Sequence, residues 1–192
     1  MSTPATLLSV RNLTMRFGGL TAIDDLSLEV PAGKITGIIG PNGAGKTTLF
    51  NCLTGFYKPT TGTLRLAHPT RGEMRLEALP SHRVARDAQV VRTFQNIRLF
   101  PKMTVLENLI VAQHNVLQRA SKFSVAGIFK LPGYRQAERE AIERAAMWLE
   151  RLKLTHLADD AAGDLPYGIQ RRIEIGRALC VDPGAMLRVS RQ

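Results

Sequence analysis

Apolar and polar positions alternate from Leu7 to Met15 and the run stops at Arg16-Phe17-Gly18-Gly19, so the chain is expected to open with a β-strand. A second strand is expected over Ala22 to Val30, closed by a turn at Pro31-Ala32-Gly33. Five residues, Ile35 to Ile39, then form a short apolar run, which reads as a third strand; Leu49, Phe50, Cys52 and Leu53 follow at helical spacing. Past the turn at Pro59-Thr60-Thr61-Gly62, the pattern predicts a strand at Thr63 to Leu66, an irregular stretch over 67–79, a short helix from Ser81 to Arg86 and a buried strand from Val90 to Phe94. Thereafter the period becomes helical. Thr104-x-x-Glu107 is a capping box, opening a helix that carries Leu106, Leu109, Ile110 and the stretch Gln113 to Leu117. Lys130-Leu131-Pro132-Gly133 breaks the chain. Ala141, Ala145, Trp148, Leu149 and Leu152 then line one face of a further helix, where Trp148 reads as a core residue. The last patterned segment is a loop at Gly163-Asp164-Leu165 leading into a helix. Pro166 lies near its first turn, and Ile169, Ile173, Gly176 and Leu179 share a face. Strands dominate the first third and helices the middle, so the pattern implies an α/β fold with an inserted helical subdomain.

Between the third apolar run and the helix lies Gly40-Pro41-Asn42-Gly43-Ala44-Gly45-Lys46-Thr47-Thr48, a strand, glycine-rich turn, helix context that suits phosphate binding. Gly40, Gly43 and Gly45 permit backbone conformations in which successive N–H groups converge on an anion. A helix starting near Lys46 adds unpaired N–H groups and partial positive charge. Lys46 can reach the β- and γ-phosphates of a nucleotide, and the Thr47 hydroxyl is placed to ligate Mg²⁺. The alternative is a plain strand-to-helix turn that happens to be rich in glycine. Gln95, at the end of a strand, is ordinarily a surface residue; downstream of a phosphate loop it offers a carbonyl oxygen to Mg²⁺. Phe17 is either a core anchor or a flat face for a nucleotide base, and spacing alone leaves both open. The start of the helix at Pro166 is a second candidate anion site.

Composition narrows the class only a little. At 192 residues, with 44% apolar and 22% charged residues, the chain suits a single soluble globular domain. Its apolar runs fall far short of the roughly 20 residues that cross a bilayer. Met1 to Ser9 carries no secretory signal pattern. Cys52 and Cys180 lie far apart with no paired Cys or His spacing, which favours two reduced thiols and argues against a metal site. The net charge of +10 raises nucleic acid as a partner. Its Arg and Lys residues are dispersed, however, apart from short clusters such as Arg171-Arg172, with no nucleic-acid motif beside them. A basic face near anionic lipid accounts for the charge equally well, so no nucleic-acid partner is expected.

Taken together, the glycine-rich loop, Gln95 and the 163–179 segment make the chain resemble the ATP-binding subunits of ABC transporters, over essentially everything to about Leu187. Within that family it is most similar to the branched-chain amino acid importer subunit, through Met15 to Leu20, Phe50 to Pro59, Val91 to Gln95 and Tyr167 to Arg172. The resemblance implies a P-loop NTPase core with N-terminal antiparallel strands and a helical subdomain at about 96–165. It makes Gly40 to Thr48 the Walker A loop, Phe17 the adenine-stacking aromatic, and Gln95 the residue linking Mg²⁺ and the attacking water to the helical subdomain. Such subunits work in head-to-tail pairs. Leu165 to Gln170, with Leu165, Gly168 and Gln170 as the contacts, would face the γ-phosphate held by the Walker A loop of a related ATP-binding subunit. Two transmembrane permeases and an extracytoplasmic amino acid binding protein complete the implied assembly, at the cytoplasmic face of the bacterial inner membrane. ATP and Mg²⁺ are the implied cofactors, and ATP hydrolysis coupled to transport the implied activity.

Two departures from that pattern stand out. Where the wider signature reads Leu-Ser-Gly-Gly-Gln, Pro166, Tyr167 and Ile169 replace Ser, the first Gly and Gln. Pro166 lacks an N–H and a hydroxyl, so contact with the partner's γ-phosphate is expected to be weaker. Beyond Cys180-Val181-Asp182-Pro183, the family continues into an apolar strand ending in Asp-Glu, the Walker B pair; here Gly184 to Gln192 holds no carboxylate. Asp159 and Asp160 precede the signature region and are poor substitutes, and none of His68, His82, His114 and His156 stands where the family's switch histidine belongs. Residues 1–187 therefore read as one incomplete ABC domain, C-terminally truncated, with 188–192 as a tail outside the family pattern and the C-terminal part of the core sheet missing. Open sheet edges would make such a chain poorly soluble alone, and hydrolysis by it is doubtful without a held metal and an oriented water. The alternatives are a non-hydrolytic nucleotide-binding fragment and a nucleic-acid-associated ABC ATPase.

Overall fold

A computed structural model describes residues 5–93, 98–113 and 132–188. The chain divides into two compact units, Met1–Arg92 with Gly184–Val189, and Thr93–Pro183 with Ser190–Gln192.

The first unit is built on a four-stranded antiparallel sheet. Strands β1 (Thr6–Phe17) and β2 (Leu20–Pro31) form a long hairpin, and β3 (Thr61–His68) and β4 (Gly72–Arg75) complete it in the order β2-β1-β3-β4. Leu8, Val10, Leu13 and Met15 of β1 are all buried although their spacing skips from two to three. The register shift between Val10 and Leu13, three positions along β1 against two along β2, explains this, with Asn12 at φ +48. An extra residue resets the two-residue side-chain period, so both halves of the strand face the same core. Asn12 Nδ2 donates to Asp25 Oδ1 at 2.8 Å and holds the irregularity. Helix α1 (Lys46–Leu53) buries Leu49, Cys52 and Leu53 in the same core as Leu64, Leu66, Leu76, Val84 and Val90. Helix α2 (Ser81–Arg86) matches the sequence expectation, and β5 (Val90–Thr93) pairs with β6 (Ala185–Arg188) in a separate two-stranded sheet. Ala185 and Leu187 of β6 pack against the core of this unit.

Two expectations fail in this unit. The stretch 67–79 is not wholly irregular: β4 forms opposite β3, with Met74 facing Leu66. Gly-Glu-Met-Arg carries no apolar alternation, so it is paired by the neighbouring backbone and not by its own pattern. More important, the apolar run Ile35 to Ile39 is not a strand. Ile38 packs against the core, whereas Ile39 is 89% exposed and Ile35 fully so. A strand exists only as part of a ladder, and among the described residues no backbone pairs with this run.

Three described helices make the second unit: α3 (Val105–Ala112), α4 (Pro132–Arg151) and α5 (Tyr167–Leu179). The capping box is present as expected, Thr104 Oγ1 accepting from Glu107 N–H at 3.1 Å and Glu107 Oε2 from Thr104 N–H at 2.8 Å. The continuation expected over 114–117 lies outside the described residues. Val105, Leu109, Ala145, Leu149, Leu154, Ala162, Ile173 and Cys180 form the core, with Trp148 packed at its margin under the Arg151 guanidinium. Gly176 permits close helix packing, since a Cβ there would come within 2.8 Å of Leu152 Cδ1. Buried Asn108 ties the approach to α3, accepting from Phe100 N–H at 2.9 Å and donating to the carbonyls of Phe100 and Thr104, each at 3.0 Å.

Candidate functional site

The loop 40–48 ends at the first turn of α1. Gly45 caps the helix in the left-handed region at φ +77, and Gly43 has φ +84. Gly45 has a second reason to be glycine: a Cβ there would lie 2.4 Å from Ala22 O and 3.1 Å from Ile23 Cγ1. The end of the loop is thus pressed onto β2, which fixes where the helix starts. The Lys46 ammonium turns back over the loop, donating to Gly40 O and, at 2.7 Å, to Pro41 O. No acidic residue stands in the first turn of α1, and Thr47 is exposed there. The arrangement offers an ammonium held by two neutral carbonyls, a bare helix N-terminus and two left-handed glycines, a cradle whose charge suits a phosphate chain. Among the described residues no cluster of His, Cys, Asp and Glu could hold a metal ion. The exposed Thr47 hydroxyl is an oxygen that this loop offers to a Mg²⁺ ion.

Phe17 ends β1 at a two-residue turn with Gly18 at φ +58. Its ladder partner is Leu20, and the next pairs are Arg16 with Thr21 and Met15 with Ile23. Gly45 abuts Ala22 and Ile23, so Phe17 and the loop occupy the same end of the β1–β2 hairpin. Phe17 is 41% exposed, which excludes the core-anchor reading. One contact was not legible in the sequence: the Phe17 ring meets that of Tyr57 at 5.2 Å between centroids and 76° between planes. A second is the hydrogen bond from the Arg92 guanidinium to Asn51 Oδ1, which links α1 to β5 just ahead of Gln95. Gln95 itself lies outside the described residues. The only sequence trace of these contacts is that Asn51, Tyr57 and Arg92 fall inside the stretches that carry the family resemblance.

In the second unit, Pro166 caps α5, and its carbonyl accepts from the N–H groups of Ile169 at 2.9 Å and Gln170 at 3.0 Å. Gly168 faces open space, and Leu165 packs against the core of the unit. Gln170 turns its amide inward, donating to Leu165 O at 2.8 Å and Gly163 O at 3.2 Å, and so holds the loop onto the helix. The Arg171-Arg172 pair is engaged internally: Arg171 bonds Glu174 at 2.6 Å, and Arg172 donates to Leu152 O. Arg177 donates to Arg98 O and stacks over Phe100 at 5.2 Å. Burial lowers its guanidinium pKa, partly offset by Glu174.

Residues 23–187 match the sequence model of the family described as ABC transporter. The chain belongs to this ABC transporter family. It is 52% identical over 187 residues to the high-affinity branched-chain amino acid transport ATP-binding protein BraF of Pseudomonas aeruginosa and to its counterpart LivG of Escherichia coli K12. In each case the match takes in 97% of this chain and 69% of the relative. Among solved structures, the ADP conformation of an ATP-binding cassette of an ABC transporter superposes with a TM-score of 0.75 at 28% identity, covering 98% of this chain and 82% of that one. A nucleotide-free ATP-binding cassette gives 0.70 at 33% identity, covering 96% and 68%. The fold is thus that of the ABC ATPases, P-loop NTPases with antiparallel N-terminal strands, as the sequence implies.

Proposed function

We propose that the chain is the ATP-binding subunit of an importer for branched-chain amino acids, working at the cytoplasmic face of a bacterial inner membrane. The observation that carries this reading is the loop at Lys46: an ammonium parked on two neutral carbonyls beside an acid-free helix N-terminus. Incoming phosphates would draw Lys46 off Gly40 O and Pro41 O, and the N–H groups of residues 43–48 would close around the β-phosphate. Phe17, at the same end of the hairpin, would stack on the base. Mg²⁺ arriving with the nucleotide would be held by the Thr47 hydroxyl and the Gln95 carbonyl oxygen, neutralising charge on the β- and γ-phosphates.

The relatives' names support the substrate class. No described helix is long and apolar enough to cross a membrane, which accords with attachment through two permease subunits. A related ATP-binding subunit, bound head to tail, would present its own loop to Leu165, Gly168 and Gln170 of this chain. An extracytoplasmic binding protein would deliver the amino acid. Phosphoryl transfer to water also needs a carboxylate-held metal and an oriented water, and these 192 residues contain no carboxylate after Asp182. For these residues alone the reading is therefore ATP binding without turnover.

The test is reconstitution with the permeases and second ATP-binding subunit of a LivG-type transporter in vesicles. The 192-residue chain should join the vesicles only when permeases are present, retain ATP, and release no more phosphate than its Lys46→Ala variant. Binding to protein-free vesicles would overturn the subunit assignment. Phosphate release well above that of Lys46→Ala would overturn the non-hydrolytic reading.

A further inference from the structure

We infer that Tyr57 is a positioning residue for the base of the bound nucleotide, acting through Phe17; this rests on the base-stacking reading of Phe17. The loop 54–60 follows α1 and folds back onto the end of β1. Its start is fixed by the helix: the N–H groups of Phe56 and Tyr57 both donate to Asn51 O, at 2.9 and 3.2 Å. Its end is fixed by the sheet: Thr60 N–H donates to Thr14 O at 2.9 Å, and Thr60 Oγ1 accepts from Arg16 N–H at 3.0 Å. Gly55, at φ +73, makes the reversal, and a Cβ there would come within 3.0 Å of Ser81 Cα and Val84 Cγ2. Between these anchors the Tyr57 ring, 38% exposed, meets the half-exposed Phe17 ring edge to face.

That contact has a purpose the packing alone does not require. Phe17 sits at the tip of a hairpin, beside two glycines, where an aromatic side chain would otherwise sample several rotamers. Stacking on a base would then cost that freedom. Tyr57 removes it beforehand and leaves the rest of the Phe17 surface open. Because Tyr57 hangs from α1, whose N-terminus closes the phosphate loop, the base platform and the phosphate cradle are held at a set separation by one helix and its following loop. The ligand class is a nucleoside polyphosphate whose base and phosphates are engaged together.

The experiment compares ATP with inorganic tripolyphosphate, which has phosphates and no base, on the full 192-residue chain. Titration calorimetry is run on the wild type, Tyr57→Ala, Tyr57→Phe, Phe17→Ala and the Phe17→Ala/Tyr57→Ala double variant. Edge-to-face ring pairs of this kind correspond to about 3- to 10-fold in a binding constant. Tyr57→Ala is expected to weaken ATP by that factor with tripolyphosphate unmoved, Tyr57→Phe to restore it, and the double variant to bind ATP no worse than Phe17→Ala. Equal loss for ATP and tripolyphosphate in Tyr57→Ala, or a double variant weaker by the full product of the two single effects, overturns the positioning role. A separate outcome, Phe17→Ala leaving the ratio of ATP to tripolyphosphate affinity unchanged, removes the base-stacking reading itself.

Discussion

Gly45 and Gly43 stand two residues apart in the same loop with nearly the same left-handed backbone, φ +77 and +84, yet replacing them by alanine should have very different costs. At Gly43 the added Cβ meets nothing within 4 Å, so Gly43→Ala bears only the left-handed strain, about 1 kcal/mol. At Gly45 the same strain is joined by a collision, with Ala22 O only 2.4 Å away and Ile23 Cγ1 at 3.1 Å. Both lie on β2, whose pairing with β1 resists displacement, so the N-terminus of α1 must move instead. Overpacking of this kind costs about 1–3 kcal/mol, which brings Gly45→Ala to roughly 2–4 kcal/mol. Cys52 supplies the probe: it is buried in α1 within the same unit, and its thiol pKa is pushed up to about 11 by burial. In a Cys180→Ala background, Cys52 alkylation against urea reports the opening of this unit, whereas the fluorescence of Trp148 would report the other. The midpoint for Gly45→Ala should fall well below that for Gly43→Ala, without nucleotide present. Unfolding free energies from these curves that agree to within about 0.5 kcal/mol would refute the view that the loop is braced against β2.

Asp87 has Arg71 at 3.7 Å and accepts hydrogen bonds from Arg86 and Arg83; the latter two, Arg86 first, hold its carboxyl below the usual carboxylate range. Its contribution is present above the unfolded carboxylate pKa, about 3.9, and is lost as pH falls through that value toward the lowered one. The melting temperature of Asp87→Asn should therefore lie below that of the wild type at pH 7, with the gap closing as pH drops below about 4; a gap that persists unchanged at pH 3 would contradict the assignment. Cys180 is buried against the core of the second unit and its thiol is pushed up to about 12, so iodoacetamide at pH 8 should label neither cysteine of the native chain and both after unfolding. Labelling of the native protein at the rate of a free thiol would show that the burial is wrong.

The phosphate loop was legible because it depends on glycine, lysine and hydroxyl spacing over nine residues, and such spacing is local. The capping box at Thr104, helix α2 and the strand ahead of Gln95 were legible for the same reason. Ile35 to Ile39 was misjudged because an apolar run reports only that a segment suits burial, and strand formation depends on a neighbour elsewhere in the chain. The β1 pattern hid an extra residue near Asn12, visible only in its register against β2. Tyr57 could not be found from spacing, since its partner, Phe17, lies 40 positions earlier and the two meet through the fold of the sheet. The hydrogen bonds from the Gln170 amide to Leu165 O and Gly163 O were equally illegible, since they depend on how the loop turns into its helix.

The most direct test of the account is equilibrium binding of ATP with Mg²⁺ by the 192-residue chain and by Lys46→Ala, with circular dichroism verifying that both are folded. The arrangement at Gly40, Pro41 and Lys46 predicts saturable binding by the wild type and a loss of about 100-fold or more in the variant, as the charge-assisted contacts to two phosphates disappear. A folded wild-type chain that does not bind ATP, or a Lys46→Ala variant that binds it equally well, would contradict the assignment of this loop as the nucleotide site.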